Sequence, residues 1–367
     1  MKRAASGKPT GRGSATSSNS VNGLPVSSVL NTGLIGAGRI GRLHASNLAH
    51  HIPRARLVAV ADVVEEAARQ SAAEHGIPRA VADYRVLLDD ADVQAVVICS
   101  ATDTHAQIIE EAAQAGKHIF CEKPIDLTLE RIDTALAAVD RRGVVFQIGL
   151  NRRFDANFRR VRQAVEQGEI GRPWQLHIVS RDPSPPPLAY VKVSGGLFLD
   201  MAIHDFDMAR FLIGSEVEEV YASAGVLVDE AIGALGDVDT AVTILKFANR
   251  AIGTIDNSRS AVYGYDQRVE ILGSGGMIST DNNFPNSAVI SDGRAVHRDL
   301  PLNFFMERYT QSYLAEMTAF VDAVLDGGTP PVTGVDGRIA VVLALAAQKS
   351  FRENQPVRVS EVDLSRD

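Results

Sequence analysis

Cysteine is scarce in this sequence, with two residues, Cys99 and Cys121, among 367. Two thiolates cannot supply a cysteine-rich zinc site, and we expect no bound metal. Each cysteine follows a short apolar run, which is typical of a buried strand, so we predict that both thiols are buried and inert. Free thiols of this kind suit a reducing compartment, and we therefore expect a cytoplasmic protein.

Long apolar runs and an excess of positive charge are also missing. No stretch reaches the ~20 apolar residues that a membrane-spanning helix needs, so we expect no membrane partner. The formal net charge is -8, and no stripe of lysine and arginine offsets it, which argues against nucleic acid as the main partner. The composition that remains, with 45% hydrophobic and 22% charged residues, is that of an ordinary globular protein.

The first 27 residues contain no aspartate or glutamate and are rich in serine, glycine, lysine and arginine. They lack the apolar centre of a secretory signal, so we predict a disordered tail over residues 1–27 or a start codon placed upstream. A transit-type peptide is the alternative, because such peptides are also rich in arginine and serine and poor in acids.

Strands and helices alternate from residue 28 to residue 149. The strands are continuous apolar runs, such as residues 93–99, and the helices between them are amphipathic. This alternation predicts a first domain with a parallel sheet that helices cover on both faces.

The pattern changes after Leu150, where strands such as 174–181 and 239–247 alternate apolar and polar side chains. Alternation of this kind predicts a largely antiparallel sheet with one polar face. One helix, predicted over 197–212, interrupts the strands, and two helices close the chain. We therefore predict an α/β protein with two domains, the second over residues 150–367.

A glycine-rich turn, Gly36-Ala37-Gly38-Arg39-Ile40-Gly41, follows a predicted strand and opens a predicted helix. Its glycines allow a tight turn and a close approach of the backbone to a pyrophosphate, which the helix N-terminus attracts. Asp62 ends the second strand about 20 residues later, where a carboxylate binds a ribose diol and repels a 2′-phosphate. No arginine is adjacent to it, so the sequence predicts a Rossmann domain that binds NAD rather than NADP.

The exit of the third strand, at Ser100 to His105, lies at the same carboxyl edge of the predicted sheet, where open α/β folds bind ligands. We assign Ser100, Thr102 and His105 to the cofactor site, with Thr102 lining the cofactor. For His105, a place in the first turn of a helix is favoured over a catalytic role.

Cys121-Glu122-Lys123-Pro124 ends the next strand at that edge. A buried ammonium group is costly unless it meets a ligand oxygen, and Lys123 in this place can polarise an alcohol oxygen and stabilise a developing alkoxide. We assign Glu122 and Lys123 to the cofactor site as well. From this tetrapeptide alone, a surface lysine before a turn proline remains the alternative.

Asp200, His204 and Asp207 share one face of the helix predicted over 197–212, at the spacing i, i+4 and i+7. A carboxylate one turn from a histidine orients the imidazole and stabilises its cation, which suits a general base near neutral pH. Oxidation of an alcohol by NAD requires such a base for the hydroxyl proton. The same spacing also fits a metal pair or a capping network.

Several of these segments together resemble the Gfo/Idh/MocA oxidoreductases: the glycine-rich turn, Glu122-Lys123-Pro124, Gly149-Leu150-Asn151-Arg152-Arg153-Phe154-Asp155 and residues 195–210. Within that family the chain is most similar to the inositol 2-dehydrogenases, through Ser180-Arg181-Asp182-Pro183 and residues 263–268. The resemblance implies a Rossmann domain joined to an α/β domain with a large open sheet, and a homotetramer. It also implies NAD-dependent oxidation of a ring secondary alcohol, with myo-inositol converted to 2-keto-myo-inositol in myo-inositol catabolism.

The resemblance implies roles for single residues too. Lys123 matches the lysine that holds the reacting hydroxyl, and Asp200 and His204 match the carboxylate–histidine pair in which the histidine accepts the proton. The Lys123–Pro124 bond matches a cis peptide. The predicted substrate contacts are Asn151, Arg152, Asp182, Asp207 and Tyr265.

Two alternatives stay open. The substrate can be scyllo-inositol or another sugar, or a keto-inositol can be reduced instead. A catalytically silent NAD-binding sensor on the same scaffold is expected to have lost the lysine or the histidine, and both Lys123 and His204 are present.

Overall fold

A six-stranded sheet forms the N-terminal part of the computed structural model, which describes residues 29–363. The tail predicted for residues 1–27 lies outside the described residues. The elements of this part are β1 (Leu30–Ile35), α1 (Arg39–Ser46), β2 (Ala55–Ala61), α2 (Glu65–His75), β3 (Ala80–Val81), α3 (Arg85–Leu88), β4 (Ala95–Ile98), α4 (Thr102–Gln114), β5 (His118–Glu122), α5 (Leu129–Arg142) and β6 (Phe146–Gly149).

The strands lie in the order β3-β2-β1-β4-β5-β6, and all neighbouring strands are parallel. This order confirms the predicted Rossmann fold. All four residues of β4 are buried, because helices cover both faces of the sheet. The carboxyl ends of β1 and β4 lie side by side where the strand order reverses, which is the point at which such sheets bind ligands.

The chain continues into a second sheet with the order β12-β11-β7-β10-β9-β8-β15. Neighbouring strands of this sheet are antiparallel, except that β7 and β10 are parallel to each other. This pairing confirms the predicted mostly antiparallel sheet. The elements of this part are α6 (Ala156–Glu166), β7 (Pro173–Arg181), α7 (Leu188–Val191), α8 (Gly196–Asp200), α9 (Ile203–Ile213), β8 (Val217–Gly225), α10 (Glu230–Gly233), β9 (Thr240–Phe247), β10 (Ile252–Ser258), β11 (Asp266–Gly273), β12 (Gly276–Ser279), β13 (Val289–Ser291), β14 (Val296–Arg298), α11 (Phe305–Arg308), α12 (Thr310–Asp326), α13 (Gly334–Glu353) and β15 (Val357–Arg358).

One face of this second sheet contacts α9 and α13, and its other face, the open sheet face, is accessible to solvent. Buried and exposed residues alternate along β9, as the sequence pattern predicts. The open sheet face is less polar than predicted. It bears apolar side chains that are between 38% and 50% exposed, namely Val242, Ile244, Ile252 and Leu272.

The single helix predicted over 197–212 is wrong, because two helices, α8 and α9, occupy that range. At the break, the Ala202 N–H donates to the carbonyl oxygen of Leu197, five residues back, at 2.9 Å. An α-helix joins residues four apart, so this wider turn changes the helical phase. Asp200 ends the first helix and His204 lies in the first turn of the second, and the i, i+4 relation between them is lost.

The two parts of the chain share their packing. One buried cluster contains side chains of both parts, namely Leu34 of β1, Phe120 of β5, and Met317, Phe320 and Val321 of α12. The predicted boundary at residues 149 and 150 coincides with the end of the first sheet, yet α12 returns to cover that sheet. Over residues 29–363, none of the helices combines the length and the apolar character that crossing a membrane requires.

Both cysteines are buried and free, as predicted. Burial raises the pKa of the Cys99 thiol and of the Cys121 thiol well above the ordinary value, which favours the unreactive protonated form.

Candidate active site

The glycine-rich turn connects β1 to α1 at the carboxyl edge of the first sheet. Gly36 has a φ of +98°, and a Cβ there would lie 2.5 Å from the carbonyl oxygen of Cys99, so both the conformation and the space require glycine. A Cβ on Gly38 would meet no atom within 4 Å, and no side chain caps α1 at that residue. The first N–H groups of α1 therefore face open space, which fits a pyrophosphate at this helix N-terminus.

Asp62 lies directly beside this turn. Its Oδ2 accepts a 2.7 Å hydrogen bond from the Ala37 N–H, and its Oδ1 accepts a 2.8 Å bond from the Val64 N–H. The carboxylate therefore connects the end of β2 to the glycine-rich turn. Each of its oxygens can accept a further bond, as binding of a ribose diol requires.

The turn after β4 contains Ser100, Thr102 and His105. Ser100 Oγ lies 2.7 Å from Thr104 Oγ1, and Thr102 begins α4 with a partly exposed side chain at the cleft. His105 is buried, with Nδ1 2.8 Å from the carbonyl oxygen of Pro124 and Nε2 3.0 Å from that of Ser100. Both ring nitrogens contact main-chain oxygens, so His105 joins the turns after β4 and β5. This position does not favour the predicted contact of His105 with the cofactor.

Glu122, also predicted to bind the cofactor, points toward α1. The Nε2–H of His44 donates to its Oε1 at 2.8 Å, and Glu122 is only 9% exposed. The carboxylate is close to Gly149 at the end of β6, because a Cβ added to Gly149 would lie 3.1 Å from Glu122 Oε2. This geometry places the Glu122 carboxylate behind the turn that carries Lys123.

Lys123 reaches across to α8. Its Nζ donates to the carbonyl oxygen of Asp200 at 2.7 Å and to Asp200 Oδ1 at 3.3 Å. The peptide between Lys123 and Pro124 is cis, as the family resemblance implies. The ammonium group is therefore held at the junction of the two sheets, and the alternative of a free surface lysine is wrong.

The Asp200 carboxylate receives two further donors that the sequence did not predict. The Tyr190 hydroxyl donates to its Oδ1 at 2.7 Å, and the buried Arg259 donates to its Oδ2 at 3.3 Å. Burial raises the pKa of Asp200, but the charges of Lys123 and Arg259 outweigh that effect and hold its pKa below the ordinary value. Asp200 is thus a charged anchor for Lys123.

His204 is partly exposed, and its ring makes no hydrogen bond to any residue in the described part of the chain. No hydrogen bond joins Asp200 to His204 in the described part of the chain, and the break between α8 and α9 removes the continuous helix on which that prediction rested. Burial, aided by the nearby charges of Lys123 and Arg152, lowers the pKa of His204 well below its usual range. The ring is neutral near pH 7 and has a lone pair to accept a proton.

Three of the predicted substrate contacts are buried, namely Arg152, Asn151 and Tyr265, and the charge of Arg152 acts on His204. Arg152 donates to Asp205 Oδ1 at 2.5 Å and to the Tyr265 hydroxyl at 3.4 Å. The Asn151 amide nitrogen is buried and has no partner among residues 29–363. A buried amide without a partner is costly, so a ligand oxygen at this place is favoured.

Asp182 follows β7, and its carboxylate faces the charges of Arg259, Asp200, Arg152 and Asp205. Burial, with a smaller contribution from the neighbouring carboxylates, raises its pKa to about 6. Asp182 is therefore in the same group of charges as the predicted catalytic residues.

Asp207 is not in this group. Both of its oxygens accept hydrogen bonds from Arg153, at 2.9 and 2.6 Å, and Arg153 also donates to Asp336 of α13 at 2.9 Å. The position of Asp207 does not favour the predicted substrate contact, because its carboxylate is fully engaged in joining α9 to α13.

Sequence reasoning missed three residues of this site, namely Tyr190, Arg259 and Asp205. One signal was present for Arg259, which directly follows β10 as Asp182 follows β7. Ser258 pairs with Arg181 in parallel register, so the two strands end together. Because we predicted antiparallel neighbours, that signal could not be used. Tyr190 lies outside the sheet, and its position has no signal in the pattern.

Two family models match most of this chain. The model of the oxidoreductase family with an NAD-binding Rossmann fold matches residues 30–150, and the GFO/IDH/MocA C-terminal domain matches residues 158–279. The myo-inositol 2-dehydrogenase of Thermotoga maritima is 49% identical over 90% of this chain and 98% of its own length. The inositol 2-dehydrogenase of Rhizobium meliloti is 46% identical over 89% of this chain and 98% of its own.

A solved structure is also similar. The scyllo-inositol dehydrogenase of Lactobacillus casei, with bound NAD(H) and scyllo-inositol, superposes with a TM-score of 0.85 at 32% identity. The superposition covers 90% of this chain and 99% of that structure. The similarity therefore extends over both sheets.

Replacement of Asp62 by alanine tests the cofactor side of the site. We expect Asp62→Ala to weaken NAD binding by about 10-fold or more, because a charged hydrogen bond to the ribose is lost. NADP binding should weaken less, since repulsion of its 2′-phosphate disappears. Calorimetric titration with both dinucleotides measures this, with Asp89→Ala, an exposed aspartate before β4, as the matched control. An unchanged ratio of the two affinities contradicts the role of Asp62.

Proposed function

Because the chain belongs to the Gfo/Idh/MocA oxidoreductase family, we propose that it is an NAD-dependent inositol 2-dehydrogenase that oxidises myo-inositol to 2-keto-myo-inositol. The observation that carries the proposal is the contact of Lys123 with Asp200 beside the neutral ring of His204. The relatives named above act on inositols, and they match 90% and 89% of this chain.

The residues that hold the cofactor in this proposal surround the glycine-rich turn. The free N–H groups at the start of α1 bind the pyrophosphate, and Asp62 accepts hydrogen bonds from a ribose. NAD, when bound, supplies an acceptor for the hydride that leaves the alcohol carbon. The other steps of the reaction belong to the side chains of the protein.

Lys123 binds the oxygen of the reacting hydroxyl. Its ammonium stabilises the negative charge that develops on this oxygen, and its aim is set in advance by the two bonds to Asp200. In this proposal Asp200 acts on the reaction by positioning the lysine. That role differs from orientation of the histidine, which the sequence pattern suggested.

His204 accepts the hydroxyl proton. Its low pKa keeps the ring unprotonated in the free protein, so the base is available near neutral pH. The charges of Lys123 and Arg152 that lower this pKa also oppose formation of an imidazolium. The proton therefore leaves for solvent readily after the reaction, and the partial exposure of the ring allows this.

The charges of the site suit an uncharged polyol. The site contains three cations and three carboxylates. The cations are Lys123, Arg152 and Arg259, and the carboxylates are those of Asp182, Asp200 and Asp205. When all six groups are ionised, their charges sum to zero. A ring that carries several hydroxyls can bind to Asp182, Asn151 and Tyr265. Sites that hydrogen-bond particular hydroxyls reject analogues that lack them.

The open sheet face supports the proposal of a homotetramer. Its exposed apolar residues Val242, Ile244, Ile252 and Leu272 form a surface that a second copy of the chain can bury. Light scattering on the purified protein should give about four times the mass of one chain, and a monomer at micromolar concentration contradicts this assembly.

The cytoplasm and the breakdown of myo-inositol remain the setting that we propose, in keeping with the two free thiols.

A panel of substrates tests the proposed reaction. With NAD as cofactor, we expect NADH absorbance to rise fastest with myo-inositol, more slowly with other inositols, and least with glucose and 1,5-anhydro sugars. A faster rate with scyllo-inositol keeps the enzyme class and changes the epimer. If NAD binds and no cyclic polyol is oxidised, the protein is a sensor and the proposal is wrong.

Substitution of the two central residues separates chemistry from cofactor binding. Lys123→Met and His204→Asn should each lower kcat by about 100-fold or more, since each removes a group that acts in the transition state. The dissociation constant of NAD should change by less than about 5-fold, because neither side chain is needed for the pyrophosphate or ribose contacts.

Surface variants are the controls for this experiment. Lys349→Met removes a lysine from the outside of α13, and His297→Ala removes an exposed histidine of β14. Both should retain normal kcat. Loss of NAD binding in the Lys123 or His204 variants, with normal turnover of the remaining complex, shows that the assigned roles are wrong.

A further inference from the structure

A buried carboxyl group lies behind the candidate site without a role in the reaction proposed above. Glu316 of α12 is 0% exposed, and neither of its carboxylate oxygens has a hydrogen-bond partner among residues 29–363. An ionised carboxylate without donors in such a place is strongly disfavoured. The group therefore has to be neutralised by a proton, by a cation or by a partner charge.

Two other side chains complete this buried cluster, which we define as His44, Glu122 and Glu316. One nitrogen or oxygen atom of each lies within 4.8 Å of the others. His44 comes from α1, Glu122 ends β5, and Glu316 comes from α12, so the cluster joins the cofactor helix, the Lys123 turn and the C-terminal part of the chain. His44 already donates to Glu122 at 2.8 Å.

The charges of the cluster do not balance if both carboxyl groups are ionised. Among residues 29–363, the titratable groups that act on Glu316 or are acted on by it include His44, Glu122, Tyr313 of its own helix, and Cys99 directly after β4. None of these except His44 can be a cation, and His44 is bonded to Glu122. Burial raises the pKa of Glu316 well above its ordinary value, and the Glu122 carboxylate raises it further.

We propose that Glu316 is a positioning residue that carries a proton in the working enzyme and directs it at Glu122, so that a single buried charge, paired with His44, lies behind the turn that holds Lys123. This inference rests on the proposed function only for the role of Lys123. The protonated Glu316 hydroxyl then lies within 4.8 Å of the Glu122 carboxylate, which the His44 N–H already contacts. The two groups hold the residue that immediately precedes Lys123.

The arrangement explains why two distant helices converge on Glu122. Gly149 leaves room for the Glu122 carboxylate on the β6 side, and in this proposal His44 of α1 and the protonated Glu316 of α12 are its two donors. Loss of the Glu316 proton would place a second charge beside Glu122. Repulsion between the carboxylates then moves Glu122, and the turn with Lys123 moves with it.

Two substitutions at Glu316 distinguish a protonated acid from a charged one. Glu316→Gln keeps the shape and a neutral donor, whereas Glu316→Leu removes the donor. We expect kcat of Glu316→Gln to stay within about 3-fold of the parent and kcat of Glu316→Leu to fall by about 10-fold or more, with NAD affinity changed less in both. Glu307→Gln, an exposed glutamate of α11, is the matched control and should behave as the parent.

Thermal unfolding as a function of pH gives a test that does not depend on activity. A carboxyl group whose pKa is raised in the folded state stabilises the protein at low pH, and this contribution is lost as the pH rises toward the folded-state pKa. The difference in melting temperature, Glu316→Gln minus parent, should therefore increase as the pH rises above the unfolded-state glutamate pKa of about 4.3, by about 3 °C or more. The Glu307→Gln control should show a constant difference.

Infrared spectra and metal analysis complete the experiment. The parent should show a protonated-carboxyl band that shifts in D2O and is absent from Glu316→Gln. The proposal is overturned by absence of that band, by a constant difference in melting temperature, or by a stoichiometric divalent cation that a chelator removes from the purified protein. It is also overturned if Glu316→Gln loses as much turnover as Glu316→Leu. If no polyol is oxidised, the infrared and unfolding results still decide the protonation of Glu316.

Discussion

Lys123 and Asp200 meet where the two sheets join, and the arrangement of the candidate site depends on this contact. The lysine extends from the end of a parallel strand, and the aspartate ends a short helix of the second part of the chain. An ammonium group that is nearly buried needs an anion, and this requirement brings the two parts together at one place. Tyr190 and Arg259 complete the donors to Asp200, and the carboxylate keeps its charge under burial.

The same principle orders the surroundings of the site. Arg152 pairs with Asp205, Arg153 with Asp207, and Arg308 with Asp155 at 2.5 Å. Each pair joins elements that are far apart in the chain. Removal of one member of a buried pair leaves an unpaired charge, so such pairs define the relative placement of helices more strongly than their net contribution to stability suggests. The Glu122–Glu316 pair differs, because His44 hydrogen-bonds to Glu122 while the Glu316 oxygens have no hydrogen-bond partner among residues 29–363.

Much of the first sheet and its ligand edge could be predicted, because the signals are local. The glycine-rich turn, Asp62 and Lys123 each follow a strand directly, and parallel strands bring such positions to one edge. The helix break at Ala202 could not be predicted, since residues 197–212 have a continuous helical pattern and the wider turn depends on packing. Asp207 has suitable spacing in the sequence, and only its pairing with Arg153 shows that it is occupied elsewhere.

The sequence by itself determined the order of strands and helices around the first sheet, the cofactor turn and the residue types that carry the chemistry, because these depend on local periodicity and on neighbours in the chain. The tertiary structure alone decided which charges meet: Asp200 with Lys123 rather than His204, Arg259 beside Asp182, and Glu316 behind Glu122. Electrostatic partners are chosen by distance in space and by exclusion of water, and neither quantity is encoded in spacing along the chain.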